Sequence, residues 1–171
     1  MAEQTENSEF EQIEEQKKRQ NLVQFLSFTL GAEEYGVDIL SVQEIRSWEP
    51  VSRIPNVPSY EKGVVNLRGA IVPIVDLRER FGLGHMAYSP LTVVVVLQIE
   101  NDEGQTRVMG VVVDSVSDVI DVDKTSIQSA PNFGTKVSTE FINGLASVNE
   151  RMVMLLDVEK MLKLGGLDDK S

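Results

Sequence analysis

The stretch Gly36-Val37-Asp38-Ile39-Leu40-Ser41-Val42-Gln43-Glu44-Ile45 returns 74 residues later as Gly110-Val111-Val112-Val113-Asp114-Ser115-Val116-Ser117-Asp118-Val119. Gly, Val, Ser and Val are identical at matching places, and Ile39/Val113, Glu44/Asp118 and Ile45/Val119 are conservative. A second block, Gly63–Phe81, lies over Gly144–Leu162 at an offset of 81, with Gly63/Gly144, Val72/Val153 and Asp76/Asp157 coinciding. Apolar positions match at Ile71/Met152, Ile74/Leu155 and Val75/Leu156 among others. Both alignments are ungapped and keep the same order. The chain therefore reads as two similar small β units, about 22–90 and 91–164. Two units of ~70 residues must pack together to gain enough core, and the seam between them is the expected binding cleft.

Composition supports strands. There are 24 Val against 6 Ala, and β-branched residues favour pleated surfaces over helices. Strands are predicted at Val23–Leu30, Tyr35–Ile39, Val64–Leu67, Ile71–Val75, Thr92–Ile99, Arg107–Val113 and Met152–Leu156. The unbroken run Val93–Leu97 implies burial on both faces. Asp76-Leu77-Arg78-Glu79 is a capping box after a strand, and Asp157–Leu164 has the same Asp cap before a helix, stopped by Gly165-Gly166. The first 20 residues carry six Glu and only Phe10 and Ile13 as large apolar groups after Met1, so 1–21 is expected as a mobile acidic tail, nascently helical over Glu9–Arg19. Residues 165–171 are expected to be a second tail.

The 171 residues hold 27 acidic and 16 basic groups, one His and no Cys, for a net charge of −11. Disulfides, Cys-ligated metals, thiol catalysis and multi-His metal sites are thereby excluded. The acidic balance argues against nucleic acid, whose phosphates need clustered Lys and Arg. The longest apolar run is too short for a spanning helix and the N-terminus lacks a signal-peptide pattern, so a cytoplasmic protein is expected.

Reactive groupings are sparse. His85 lies in a Gly-Leu-Gly-His-Met loop with no nucleophile motif, and is read as solvated. Gly82–Ala87 formally matches a dinucleotide fingerprint, but Tyr88-Ser89-Pro90 follows where a helix would have to open. Glu33-Glu34 and the Asp121/Asp123 pair lie in polar turns, without the burial that general acid–base work requires. Asp76 and Asp157 are read as helix caps. No cofactor or metal is expected. Arg68, beside Gly69 between two strands, is either a plain exposed hairpin residue or a protein-contact arginine. Ser47–Pro58 holds the sole Trp and three of six prolines, and is either a rigid linker or a contact surface anchored by Trp48 and Ile54.

Over about 22–163 the sequence resembles the CheW family of bacterial chemotaxis coupling proteins. The resemblance is carried by Glu33–Leu40, Val42–Arg46, Gly63–Gly69 running on through Ile74–Arg78, and Val113–Val119. It implies a mainly β fold of two SH3-like five-stranded β-barrel subdomains packed around a groove, with short helices after strands. The resemblance also implies a non-catalytic adaptor, with no bound cofactor, that couples methyl-accepting chemotaxis receptors to the regulatory domain of the histidine kinase CheA. Such an adaptor is cytoplasmic and is recruited to receptor arrays without membrane insertion. Carried over by position, the partner-contact residues fall on Val42, Glu44, Gly63, Arg68, Val93, Val116, Val119 and Gly144. The same module serving another receptor–kinase set, and an enzyme with an unrecognised carboxylate site, are the alternatives.

Overall fold

The computed structural model describes residues 2–52, 54–84, 87–100, 103–129 and 139–162. A helix, α1 (Ala2–Asn21), leads directly into β1 (Leu22–Leu30) and β2 (Glu33–Asp38). A 3-10 turn at Ile39–Ser41 precedes β3 (Val42–Ser47), and β4 (Glu61–Leu67), β5 (Ala70–Asp76) and α2 (Leu77–Arg80) complete the first half. The second half repeats the plan: β6 (Val93–Glu100), β7 (Thr106–Val113), β8 (Ser115–Asp123), a 3-10 turn Lys124–Ser126, β9 (Ile142–Val148), β10 (Arg151–Leu156) and α3 (Val158–Leu162). The expected helical stretch near Glu9–Arg19 lies inside the longer α1, whose described side chains from Ser8 to Gln16 are all exposed. Of the earlier expectations, His85 and the 165–171 tail fall outside the described residues.

The strands form two five-stranded sheets, ordered β8-β1-β2-β10-β9 and β3-β6-β7-β5-β4. This corrects the expectation that 22–90 and 91–164 each build their own barrel. Each sheet takes the hairpin that opens one half and the last three strands of the other. The joints are parallel and equivalent: Gly36 of β2 faces Leu155 of β10, and Gly110 of β7 faces Ile74 of β5. Both glycines are fixed by crowding. A Cβ on Gly110 would stand 2.5 Å from Ile74 Cδ1 and 2.8 Å from Val94 Cγ1, and one on Gly36 would press on Leu155 and Val153 at 3.3 Å.

Strand pairing stays open in both sheets, but both curl. In the second sheet the opposite edges β3 and β4–β5 are bridged by Glu44 and Arg68 at 3.4 Å. In the first, Ile120 and Val122 of edge β8 share an apolar cluster with Ala146 and Val148 of edge β9. Curling creates three cores. Leu26, Phe28, Tyr35, Val95, Leu97, Val111 and their neighbours pack between the sheets. Phe25, Val153 and Leu155 fill the hollow of the first sheet, and Ile74, Val94, Val96 and Val112 that of the second. The Val93–Leu97 run is buried on both faces, as its unbroken apolarity implied: Val95 and Leu97 point to the shared core, Val94 and Val96 to the outer one.

The interior of the seam is thus filled rather than cleft-like. An aromatic series crosses it, Phe28–Tyr35–Phe81–Phe141, with ring centroids 6.1, 5.9 and 5.9 Å apart. Phe141 comes from the second half and the other three from the first. Each half ends in its capped helix: the Asp76 carboxylate accepts from the amides of Arg78 (3.0 Å) and Glu79 (3.4 Å), and Asp157 accepts from Lys160 at 3.1 Å.

Candidate functional site

The residues singled out from sequence occupy three kinds of place. Val42, Val93 and Val116 are half-buried on the rim of the inter-sheet core, where its apolar packing reaches the surface. Ile39, Ile99 and Ile142 share that rim. Val42 of β3 pairs with Leu97 in the middle of β6, and Val93 opens β6, so the two valines are offset by about 13 Å along the strand at ~3.3 Å per residue. Val116 faces Phe28 on β1. The arrangement is a strip along the seam, not a pocket.

Glu44, Arg68 and Val119 lie on the outer faces. Arg68-Gly69 is the two-residue turn between β4 and β5, with positive φ at both residues (53° and 88°) and Asn66 Oδ1 accepting from the Gly69 amide at 2.9 Å. This is the primed hairpin geometry that suits strand twist. Holding it at the tip throws the Arg68 side chain into solvent, 74% exposed, with its guanidinium against Glu44. Val119 is exposed on edge strand β8.

Gly63 and Gly144 are buried beneath their linkers. Ser52 bridges to β4 beside Gly63, and Gln128 bridges to β9 beside Gly144. A Cβ on Gly63, whose φ is 145°, would overlap the Ser52 carbonyl; one on Gly144 would stand 2.5 Å from Ile127 Cγ2. Their small size is what lets the preceding segment cross the strand, so any effect on a partner passes through that segment. The Ser47–Pro58 connection wraps its own sheet: Trp48 and Val51 pack on its outer core, and the Trp48 and Tyr88 rings meet at 4.4 Å, tilted by 34°.

Sequence reading passed over further exposed apolar groups: Ile45, Ile71 and Met152, together with Leu40, which is 88% exposed on the first 3-10 turn. A signal for them existed. Ile45 is the repeat mate of Val119, and Ile71 is that of Met152, so both sheets show an equivalent apolar pair. Between the edges of the second sheet a small cleft is floored by Val65, Ile74, Val94 and Val96 and rimmed by Arg46 and Glu49.

The titratable groups serve structure. Burial pushes the Asp76 carboxyl upward, against the opposing hydrogen bond from Tyr88 Oη at 3.1 Å. Burial likewise raises Tyr35, whose hydroxyl donates to Glu33 at 2.7 Å. Asp123, exposed, is lowered by hydrogen bonds from the Thr125 hydroxyl (2.8 Å) and amide (2.9 Å), which close the 3-10 turn. Asp121 accepts from Gln24 at 3.0 Å. Among the described residues no group of three or more His, Asp or Glu is placed to hold a metal, and no helix is long and apolar enough to cross a membrane.

Both sheets thus show an equivalent exposed apolar pair, and the second adds the Glu44–Arg68 ion pair. A family model described as the CheW-like domain matches residues 24–165. The chain belongs to the CheW-like domain family. The chemotaxis protein CheW of Klebsiella aerogenes is 52% identical over 139 residues, 81% of each chain. The chemotaxis protein CheW of Treponema pallidum is 33% identical over 142 residues, again 81% of each. Among solved structures, the scaffolding protein TtCheW from Thermoanaerobacter tengcongensis matches with a TM-score of 0.70 and 33% identity, covering 80% of this chain and 84% of that one. The chain is a chemotaxis scaffold of the CheW type.

Proposed function

We propose that this CheW-type chain is a non-catalytic adaptor that joins the cytoplasmic tips of methyl-accepting chemotaxis receptors to the regulatory domain of the histidine kinase CheA. The observation that carries the reading is the emergence of Val42, Val93 and Val116 at the rim of the inter-sheet core. An apolar strip of a receptor helix laid along the seam would cover them, a helix-in-groove contact in which binding needs no reaction. Glu44, Arg68 and Val119 supply outward contacts beside it, while Gly63 and Gly144 act by seating the linkers. The curled sheets are read as the two SH3-like barrels of this family, residues 22–164 as the working unit, and α1 and 165–171 as appendages. The protein then works in the cytoplasm and reaches the membrane only by joining receptor arrays.

Co-sedimentation of the purified full chain with receptor-bearing membranes and CheA tests the proposal. The chain and kinase are expected in the pellet together, with kinase recruitment rising as the chain is added. Folded chain that stays in the supernatant at concentrations up to tens of micromolar overturns it.

A further inference from the structure

Eight strand pairings build the two sheets. Four are hairpins or neighbours within one half: β1 with β2, β4 with β5, β6 with β7, and β9 with β10. The other four join the halves: β1 with β8, β3 with β6, β2 with β10, and β5 with β7. Among the described residues, strands β3 and β8 have no strand partner in their own half. A lone half would be two unconnected hairpins and an orphan strand, with the shared core open. What the fold requires is one copy of each half; it does not require both from one chain.

The only covalent link between the halves is the connector Phe81–Thr92, between α2 and β6. It is held at both ends: Phe81 is buried between Tyr35 and Phe141, Tyr88 packs on Trp48, and the Ser89 amide donates to Thr92 Oγ1 at 2.9 Å. The Leu83 amide donates to Arg78 O at 2.9 Å, Tyr88 Oη donates to Asp76, and Gly82 and Gly84 turn the chain at positive φ of 72° and 89°. We infer that this chain exchanges halves with a second copy of itself, forming a swapped dimer of two complete bodies. The exchange leaves all eight strand pairings and all three cores as they are, Phe81 included, and alters only the path of the connector beyond Phe81. The two forms then differ mainly by the effective concentration with which the connector holds its own halves together, on the order of millimolar for a short link. Shortening the connector removes the closed form before it touches the swapped one. In the dimer each body carries Glu44 and Arg68 from one chain with Val116 and Val119 from the other, so two full docking surfaces become covalently tied. A scaffold with one set of docking surfaces becomes one with two.

The absence of native cysteine gives a clean test. Gln24 on β1 and Asp121 on β8 are cross-strand partners from different halves, exposed, with side chains 3.0 Å apart. The full chain carrying Gln24→Cys and Asp121→Cys is unfolded in urea, refolded at concentrations from about 5 μM to 1 mM, diluted, oxidised, and run on a non-reducing gel. A disulfide-linked dimer is expected, a few per cent at the low end and rising at least fivefold toward the high end. The dimer should elute as a folded species of twice the 19.0 kDa chain mass. The same variant with residues 84–87 deleted is expected to be predominantly that dimer at every concentration. Only intrachain disulfide across the whole range in the undeleted chain overturns the inference, and so does a folded monomer from the deleted one. If the deleted chain fails to fold, the concentration series alone decides.

Discussion

Replacing Gly63 by Ala adds one carbon atom at a place where nothing can give way cheaply. The new Cβ would overlap the Ser52 carbonyl oxygen and stand 2.7 Å from its carbon, with Val51 Cγ2 at 3.1 Å. The obstacle is backbone, and that backbone is held by the Val64 amide donating to Ser52 O at 2.9 Å. Relief therefore means lifting the linker, losing that hydrogen bond at about 1 kcal/mol. The residue's own φ of 145° adds about 1–3 kcal/mol of backbone strain for an L side chain. Partial loss of Val51 from the outer core brings the total to about 3–5 kcal/mol. Gly69→Ala is the internal control, because Gly69 also has a positive φ, 88°, yet nothing lies within 4 Å of its Cβ. It should lose only the strain, about 1 kcal/mol. Urea unfolding of both variants separates the terms, and the single Trp48, placed on the affected linker, reports by fluorescence. Gly63→Ala within about 1 kcal/mol of Gly69→Ala, with an unchanged Trp48 spectrum, would refute the crossing-linker account.

Three other outcomes are expected. Glu150 sits at φ 66° in the β9–β10 turn, where the matching turn of the first half has Gly69; Glu150→Gly should stabilise the fold by about 0.5–1 kcal/mol, read as a raised Tm, and a lowered Tm would contradict the turn assignment. Because burial raises the Asp76 carboxyl, its stabilising protonated form is fully present below the unfolded pKa and is lost as pH climbs through the folded one. Asp76→Asn cannot ionise, so its stability relative to wild type should rise as pH climbs above the ordinary aspartate pKa of about 4, and urea midpoints that shift the opposite way would reverse the sign. Arg68→His should change stability by less than about 1 kcal/mol, since the Glu44 pair is solvent-screened, while weakening capture of receptor and kinase; unchanged pull-down by a folded variant removes Arg68 from the contact surface.

How much of this was legible in the sequence depended on what each strand faces. The seven strands expected from apolar runs all formed, including the doubly buried Val93–Leu97 stretch. The three missed strands, β3, β8 and β9, are all sheet edges, and Gln43-Glu44-Ile45-Arg46 shows why: an edge with solvent on one side has little apolar pattern to detect. The repeat nonetheless contained them, because Val42–Ile45 aligns with Val116–Val119 and Gly144 aligns with the Gly63 of a recognised strand. The exchange of strands between halves was not legible. Internal similarity states what each half contains, but the parallel joints at Gly36/Leu155 and Gly110/Ile74 are set by which hydrophobic face finds which. Of the contact positions, the valines' place on the seam followed from no local pattern. The burial of Gly63 and Gly144 became visible only once Ser52 and Gln128 were seen crossing them.

The interleaving of the halves also sets when the protein comes into being. Strands β1 and β2 are made before any other strand described, yet their sheet lacks three of its five members until β8 is made and is complete only once Leu156 has been added. The early hairpin must wait for β6, β7 and β8, made tens of residues later, before Phe25, Phe28 and Tyr35 begin to be covered, a long-range closure of the kind that slows folding and invites rescue by chaperones. A ribosome that stalls between the halves releases not half a scaffold but a sticky peptide, because the first sheet is not whole until β10 has been made.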